Sequence, residues 1–374
     1  MQIGIPAEIK AGETRVAATP ETVRKYLQGG HHRVLVQSGA GAMASYSDRE
    51  FEASGANIVG TAAEVFSSSE LLLKVRGPEP DEVAMLRREQ IVVGLLAPYK
   101  RESLEALAER GVTGFAMEWL PRISRAQSMD VLSSQANIAG YKAVMVAANA
   151  YGRLMPMMMT AAGTIKAARV VVMGVGVAGL QAIATAKRLG AVVEATDVRP
   201  ETKEQVESLG AKFIEVPLTD EEKELAKGQG GYARDMGDDY RKRQASLVAE
   251  RIRQADIVIT TALIPGRPAP VLVTEDMVKE MKPGSVIVDM AVEQGGNCPL
   301  SELDLTVVKH GVQLVGIANL PATVAADASA LYARNLFNFL SLMLDMKTGA
   351  FNLNREDEIV AGTLACTGGA LVRA

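Results

Sequence analysis

The chain has 374 residues, 48% of them hydrophobic and 22% charged, and its formal net charge at pH 7 is −4. This length exceeds what one hydrophobic core usually supports, so we expect two domains. The small net charge and the lack of a block of Lys and Arg argue against nucleic-acid binding, and two distant cysteines, Cys298 and Cys366, argue against a disulfide framework or a cysteine-based metal site.

The apolar segments are too short for a signal peptide or a membrane span. Met1–Lys10 alternates apolar and polar residues, which is typical of a strand. The most apolar later run, residues 143–159, is interrupted by Tyr151, Arg153 and Pro156 and falls short of the roughly 20 residues that cross a bilayer. We therefore expect a protein of the reducing cytoplasm.

Residues 1–120 alternate short apolar runs with helix-like stretches such as Glu21–Gln28 and Glu102–Arg110, which indicates βα units and a parallel sheet. The apolar runs are Ile3–Ile5, Val34–Val36, Leu71–Val75, Ile91–Leu96 and Gly114–Met117. Arg125–Arg153 has apolar residues three and four apart and no proline before Pro156, so it predicts a long connecting helix.

The second half repeats the alternation, which predicts a second doubly wound sheet. The expected elements are strand Ala168–Met173, helix Ala178–Leu189, strand Val192–Ala195, helix Thr202–Leu209, strands Lys212–Val216, Asp256–Thr260, Ser285–Asp289 and Gln313–Val315, and a last helix from Ala326 to Leu344. Residues 217–243 are charged, glycine-containing and poor in apolar residues, so we expect a mobile surface loop there.

The predicted fold class is therefore α/β, with two Rossmann-like doubly wound domains that have mainly parallel sheets and are joined by long helices. We expect residues 1–125, completed by 330–374, to form the first domain. Residues 126–329, including the loop 217–243, form the second.

The second domain carries a phosphate-binding loop. Gly174, Gly176 and Gly179 form G-x-G-x-x-G directly after a β-branched strand and directly before an alanine-rich helix, which is the context that this motif requires. Glycines permit the turn and the close approach of the backbone to a pyrophosphate, while the helix N-terminus supplies free N–H groups. The alternative is a buried βα turn without a ligand.

Asp197 ends the next strand, where a carboxylate accepts hydrogen bonds from the adenosine ribose hydroxyls and repels a 2′-phosphate. This position favours NAD(H). Arg199, two residues on, favours NADP(H) instead, and a solvated turn residue is the structural alternative for Asp197.

The segment from Pro121 to Asp130 brings polar groups together at the start of the predicted helix. Gln127 and Asp130, one turn apart, could bind the donor and the acceptor of a nicotinamide carboxamide. Ser124 and Gln127 also have the spacing of a capping box, and Arg125 could pair with a surface carboxylate, so a purely structural role is equally supported by these residues alone.

Two stretches carry a family resemblance, residues 117–130 (MEWLPRISRAQSMD) and 174–186 (GVGVAGLQAIATA). The chain resembles the NAD(H)-binding component of proton-translocating nicotinamide nucleotide transhydrogenase. Three further segments with the same resemblance are 157–163 (MMMTAAG), 260–266 (TTALIPG) and 295–300 (GGNCPL). The resemblance implies a homodimer that is peripheral on the inner face of the cell membrane. It also implies partner subunits, namely a membrane-spanning subunit and a component that binds NADP(H), to which NADH passes hydride.

The resemblance also implies roles for individual residues. Gln127 and Asp130 would orient the nicotinamide without acting as acid or base, and Gly231 and Tyr232 would belong to a loop that closes over the nucleotide, with Met236 nearby. The complete set of expected nucleotide-contacting residues comprises Arg122, Gln127, Ser128, Met129, Asp130, Ser133, Gly174, Val175, Gly176, Val177, Gly179, Asp197, Val198, Arg199, Gly231, Tyr232 and Leu263. No metal site is expected.

Alanine dehydrogenase is a similar family and offers an alternative function. Arg15 and Lys74 match its pyruvate-binding cations, but no histidine lies near Gly94, where its proton donor is expected by alignment. Reduction of a keto acid needs a positioned acid, whereas hydride exchange between two nicotinamides does not. We therefore interpret Arg15 and Lys74 as ion-pair members. A non-catalytic NADH sensor is a third possibility.

Overall fold

The computed structural model describes residues 1–199, 201–216 and 237–373. These residues divide into two compact units, Met1–Ala136 with Pro321–Ala374, and Asn137–Leu320. The first unit therefore includes residues 126–136 and 321–329, which the sequence assigned to the second domain. The physical reason is local, because the turn Ser124–Met129 packs on the helix that starts at Ala325.

The first unit begins with alternating strands and helices, followed by two short 3-10 helices. The elements are β1 (Gln2–Ile5), α1 (Pro20–Tyr26), β2 (Arg33–Gln37), a 3-10 turn (Ala42–Ala44), α2 (Asp48–Ala53), β3 (Asn57–Val59), α3 (Ala62–Ser68), β4 (Leu71–Arg76), α4 (Pro80–Met85), β5 (Ile91–Leu95), α5 (Arg101–Glu109), β6 (Thr113–Ala116) and the 3-10 helices Met117–Trp119 and Ser124–Met129.

Helix α6 (Val131–Ala150) starts in the first unit and continues into the second. The elements that follow are β7 (Met158–Thr160), β8 (Gly163–Ile165), β9 (Arg169–Met173), α7 (Val177–Arg188), β10 (Val192–Thr196), α8 (Thr202–Ser208), β11 (Lys212–Phe213), α9 (Gly237–Gln254), β12 (Ile257–Thr260), α10 (Glu275–Glu280), β13 (Val286–Asp289), a 3-10 turn (Val292–Gln294), β14 (Thr306–Lys309) and β15 (Val312–Val315). The chain returns to the first unit through a 3-10 helix (Leu320–Val324), α11 (Ala325–Leu340), α12 (Glu358–Thr363), β16 (Leu364–Thr367) and β17 (Ala370–Leu371).

Each unit contains a sheet with the strand order of a dinucleotide-binding fold. In the first unit the order is β3-β2-β1-β4-β5-β6, all parallel, extended by antiparallel β16 and β17. The described strands of the second unit run β11-β10-β9-β12-β13-β15, again parallel, with β14 antiparallel at the edge. Counted within each unit, both orders read 3-2-1-4-5-6, and the order reverses beside the first strand. The predicted fold class is confirmed.

The strands form because β-branched and leucine residues are buried on both faces, as parallel sheets covered by helices require. In β4, Leu71 and Leu73 face one core cluster and Leu72 faces another. In β9, Val170 and Val172 face one cluster and Val171 another. This two-sided burial explains the continuous apolar runs in the sequence.

Two predictions about secondary structure need correction. The expected helix over 125–153 is interrupted at Asp130, which has extended backbone (φ −75°, ψ 92°) between the 3-10 turn and α6. Residues 237–243 form the first turns of α9, not a loop, because a helix that buries Val248 and Ile252 can leave its polar N-terminal turns in solvent. The rest of the predicted loop, residues 217–236, lies outside the described residues.

The sequence patterns did not indicate the hairpin β7–β8 or the edge strand β14. Both are short and lack a long apolar run, so neither has a recognisable strand pattern. Among the described residues, no helix combines the length and the apolarity that a membrane span needs.

Candidate functional site

The phosphate loop connects β9 to α7, beside the point at which the strand order of the second unit reverses. Gly174 has φ +96°, a backbone conformation that side chains rarely adopt, and a Cβ there would lie 2.5 Å from the Thr261 hydroxyl. Gly176 is different, since a Cβ on it would meet nothing within 4 Å. Gly176 therefore leaves open space in front of the α7 N-terminus, which a phosphate group could fill.

Gly179 makes the loop tight. A Cβ on Gly179 would lie 1.9 Å from the carbonyl oxygen of Gly174, so only glycine allows α7 to start this close to the turn. The Thr261 hydroxyl donates to the same carbonyl at 2.9 Å and thus ties β12 to the loop. Sequence reasoning missed Thr261 because its partner lies 87 residues away. Val175 and Val177 flank Gly176; Val175 is buried and Val177 is exposed.

Asp197 follows β10 and lies beside the phosphate loop. Its carboxylate accepts from the Val175 N–H at 2.6 Å and from the Arg199 backbone N–H at 2.9 Å. The Arg199 guanidinium pairs with both oxygens, at 2.9 and 3.0 Å. Burial raises the pKa of Asp197, but the hydrogen bonds from Arg199 and Val175 outweigh it and hold the pKa below its usual value. The carboxylate is therefore ionised at neutral pH, and a ligand hydroxyl could share it with Arg199. Val198 is almost fully exposed.

The polar segment 121–130 lies in the first unit. Asp130 directly precedes α6 and caps it, since its carboxylate accepts from the Ser133 N–H at 2.9 Å and from the Ser133 hydroxyl at 2.6 Å. The Ser124–Gln127 capping box does not form. Gln127 is exposed, and no hydrogen bond of its side chain to another described residue is present. Gln127 can thus offer both its donor and its acceptor to a ligand.

The remaining predicted residues of this segment differ in exposure. Arg122 and Ser128 are exposed, whereas Met129 is buried in the core of the first unit. The Arg125 guanidinium pairs with both oxygens of Asp357, at 2.7 and 3.0 Å, as the structural alternative expected of a surface ion pair.

Leu263 lies in an exposed loop that follows β12. The amide nitrogen of Asn297 donates to the carbonyl oxygens of Ala262 at 2.9 Å and Pro270 at 2.8 Å, so it holds both ends of this loop. Asp289, fully buried, accepts from the backbone N–H groups of Asn297 and Cys298 and so orients the asparagine. No sequence pattern indicated this support of the loop. Gly231, Tyr232 and Met236 lie outside the described residues.

The two cations considered for keto-acid binding are neutralised inside the first unit. The Arg15 guanidinium pairs with Glu13 at 2.6 Å, and the Lys74 ammonium pairs with Glu82 at 2.7 Å and Glu8 at 3.4 Å. All five side chains are nearly or fully buried. Their interpretation as ion-pair members is confirmed.

Position 94 leaves no room for a side chain, because a Cβ on Gly94 would lie 2.5 Å from the Lys74 carbonyl oxygen. The histidines lie elsewhere: His32 is buried beside β2, and His310 contacts Glu275 at 3.1 Å on the second unit. Within the described parts of the chain, His, Cys, Asp and Glu form no group suited to a metal ion.

Known proteins share both the sequence and the geometry of this chain. The model of the alanine dehydrogenase/PNT N-terminal domain matches residues 4–139, and that of the C-terminal domain matches residues 143–374. The chain is 55% identical to an NAD(P) transhydrogenase subunit alpha of Rhodospirillum rubrum over 378 aligned residues, which cover 100% of this chain and 98% of that protein.

Two further comparisons separate a near from a more distant resemblance. The crystal structure of transhydrogenase from Sinorhizobium meliloti has 50% identity and a TM-score of 0.89, with 100% of each chain covered. Alanine dehydrogenase of Halomonas elongata is 32% identical, with 97% of this chain and 92% of that protein covered.

Proposed function

The chain belongs to the alanine dehydrogenase/PNT family, and we propose that within it this chain is the NAD(H)-binding subunit of a proton-translocating transhydrogenase. It passes hydride directly between NADH and NADP+ held by a partner component. The observation that carries this proposal is the phosphate loop of the second unit, in a chain that matches transhydrogenase alpha subunits along nearly its whole length.

The loop residues fit a dinucleotide. Gly176 leaves open space before the first turn of α7, a helix that runs to Arg188 and directs its free N–H groups at that space. Gly174 and Gly179 allow the tight turn that brings them there. We assign the pyrophosphate to this loop, flanked by Val175 and Val177.

Asp197 would hold the adenosine ribose and favour NAD(H) over NADP(H). An ionised carboxylate accepts from ribose hydroxyls and repels a 2′-phosphate. Arg199 reduces that repulsion, but its guanidinium is already paired with both carboxylate oxygens. Val198 and Leu263, both exposed, are available to pack against the nucleotide.

Catalysis in this proposal consists of positioning. The nicotinamide supplies or accepts the hydride when it is bound. Gln127 and Asp130 bind the carboxamide and set the ring rotation, with Arg122, Ser128, Met129 and Ser133 around them. Well-oriented reactants can gain up to about 7–11 kcal/mol in this way. No acid or base is needed, because a hydride transfer between two nicotinamides moves no separate proton.

Keto-acid reduction is the second candidate, since alanine dehydrogenases are relatives. The first unit supports it poorly. The cations Arg15 and Lys74 already have buried carboxylate partners, so binding a substrate acid would require breaking those pairs.

We propose that the subunit forms a homodimer, supported by the hairpin β7–β8. The strand residues of this hairpin and the preceding Met157 are all exposed, with Met157 60%, Met158 43% and Met159 74% accessible. A methionine-rich exposed hairpin is typical of an adaptable protein contact. The other partners in this proposal are a membrane-spanning subunit and the NADP(H)-binding component, which keep the chain on the cytoplasmic face of the cell membrane. Gly231 and Tyr232 keep their expected role in closing over the nucleotide.

Stopped-flow transfer from NADH to an NADP+ analogue tests the function, with the chain mixed with an NADP-binding component of the family. A parallel assay supplies pyruvate, ammonia and NADH to the chain alone. We expect fast transfer only in the mixture and no turnover of pyruvate. Turnover of pyruvate by the chain alone would make it a dehydrogenase, and tight NADH binding without either reaction would make it a sensor.

A further inference from the structure

Asn335, on α11, bridges the turn that carries the orienting residues. Its amide nitrogen donates to the carbonyl oxygen of Ser128 at 2.8 Å, and its amide oxygen accepts from the Ser134 hydroxyl at 2.7 Å. The two contacts lie on either side of Asp130. Asn338, one turn further along α11, donates to the same Ser128 carbonyl at 3.0 Å.

We propose that Asn335 is a positioning residue for hydride transfer, which fixes the turn 127–134 so that Gln127 and Asp130 hold the nicotinamide in one orientation. Asn338 assists it. This inference rests on the proposed function and adds the residue that supports the orienting pair.

The bridge controls Asp130 through the backbone. Both carboxylate oxygens of Asp130 are occupied by Ser133, so the carboxylate moves with the first turn of α6. Ser134, which belongs to that turn, is bound to Asn335. A shift at Ser134 therefore moves the carboxylate, and Asn335 limits that shift.

The bridge controls Gln127 as well. Ser128 is its direct neighbour, and the Gln127 side chain makes no hydrogen bond to the described residues that could fix it independently. The location of Gln127 thus depends on the Ser128 backbone that Asn335 and Asn338 hold. Small displacements of positioning groups slow a reaction more than they weaken binding.

Asparagine is suited to this bridge because one planar amide supplies a donor and an acceptor in fixed geometry. Asn335 is 8% exposed, so water does not readily replace either contact. Aspartate at this position would keep the contact with Ser134 but place an anionic oxygen against the Ser128 carbonyl. Asn335→Asp therefore breaks one half of the bridge with little change in volume.

The test compares Asn335→Asp with Ser341→Ala, a control at the exposed end of α11 whose hydroxyl donates to the Phe337 carbonyl oxygen. Single-turnover hydride transfer is measured in the mixture with the NADP-binding component, NADH affinity is measured by titration, and amide hydrogen exchange is followed over 127–134. For Asn335→Asp we expect transfer about tenfold slower, an NADH Kd within about twofold, and exchange at least roughly fivefold faster. Ser341→Ala should match the unaltered chain in all three.

A wild-type transfer rate in Asn335→Asp, with or without faster exchange, would overturn the inference and leave Asn335 a merely structural residue. A loss of NADH affinity of about tenfold at an unchanged transfer rate would overturn it too. If Asn335→Asp fails to fold, Ser134→Ala removes the other half of the bridge, and the same three results are expected. Absence of transfer by the unaltered mixture would instead contradict the proposed function, and it is distinguishable because the Ser341→Ala control is then equally inactive.

Discussion

The two units have the same strand order but differ at the point where that order reverses. After β9 the second unit has a three-glycine turn with open space at Gly176. After β1 the first unit has a longer connection that buries Glu8, Glu13 and Arg15 in contact with one another or with cations on β4. Topology thus sets where a ligand could bind, while the side chains decide whether that place accepts a ligand or neutralises itself.

Removing one buried cation from the first unit is expected to have the largest effect. Lys74→Met leaves Glu82 and Glu8 buried without their partner, which typically costs about 3–5 kcal/mol. NADH affinity should stay within about twofold, because the phosphate loop belongs to the other unit. Urea unfolding followed by the fluorescence of Trp119, the sole tryptophan and a residue of the first unit, measures the stability.

Arg101→Met is the matched control for Lys74→Met. It removes an exposed ion pair with Glu105 and should cost no more than about 1 kcal/mol. Equal stability of Lys74→Met and the unaltered chain would show that the buried pairs do not hold this connection together.

Filling the open space in the second unit should have the opposite pattern, with binding lost and stability kept. Gly176→Val adds a Cβ that meets no protein atom within 4 Å, at a backbone conformation that side chains allow (φ −82°, ψ −166°). We expect NADH affinity to fall about 100-fold, or roughly 2.7 kcal/mol, and the melting temperature to stay within about two degrees. Titration and calorimetry measure the two effects.

Gly152→Ala controls for glycine replacement, since position 152 also has open space around it but lies outside the loop. Should Gly176→Val bind NADH with normal affinity, the pyrophosphate would have to lie elsewhere.

Asp197→Ala should weaken NADH binding about tenfold, or roughly 1.4 kcal/mol, because it removes the ribose acceptor. It also frees Arg199, so discrimination against NADPH should decrease in the same variant. Asp276→Ala removes an exposed carboxylate from α10 and serves as a control. Unchanged NADH affinity in a direct titration would remove Asp197 from the site.

The pH dependence of the two units should differ, and this effect is the smallest. Burial raises the pKa of Glu118, next to β6, to about 7, despite hydrogen bonds from the backbone that lower it. Its folded pKa exceeds its unfolded pKa, so the folded state binds the proton more tightly. The stability of the first unit should therefore decrease by about 1 kcal/mol or more as pH rises from about 4.5 to 7.

Glu118→Gln should flatten this change in urea unfolding followed by Trp119, and a profile identical to that of the unaltered chain would refute the assignment. NADH binding should be insensitive over the same interval, because the lowered pKa of Asp197 keeps it ionised. A change in affinity near neutral pH would contradict that expectation.

The sequence by itself determined the features that depend on neighbouring residues. The alternation of apolar runs and helical stretches predicted both sheets, and the spacing of Gly174, Gly176 and Gly179 predicted the turn between β9 and α7. Each depends on contacts within one βα unit, where local spacing is sufficient. Asp197 followed from the same unit.

Only the tertiary structure decided which polar residues pair with one another. The sequence presented Arg15 and Lys74 as isolated cations, and their carboxylate partners became evident only when β1 and β4 were adjacent. It presented residues 125–153 as one helix, whereas Asp130 ends one segment and caps the next. Thr261, Asn297 and Asn335 support the candidate site from distant parts of the chain, and hydrogen bonds across such separations leave no periodic or spacing pattern in the sequence.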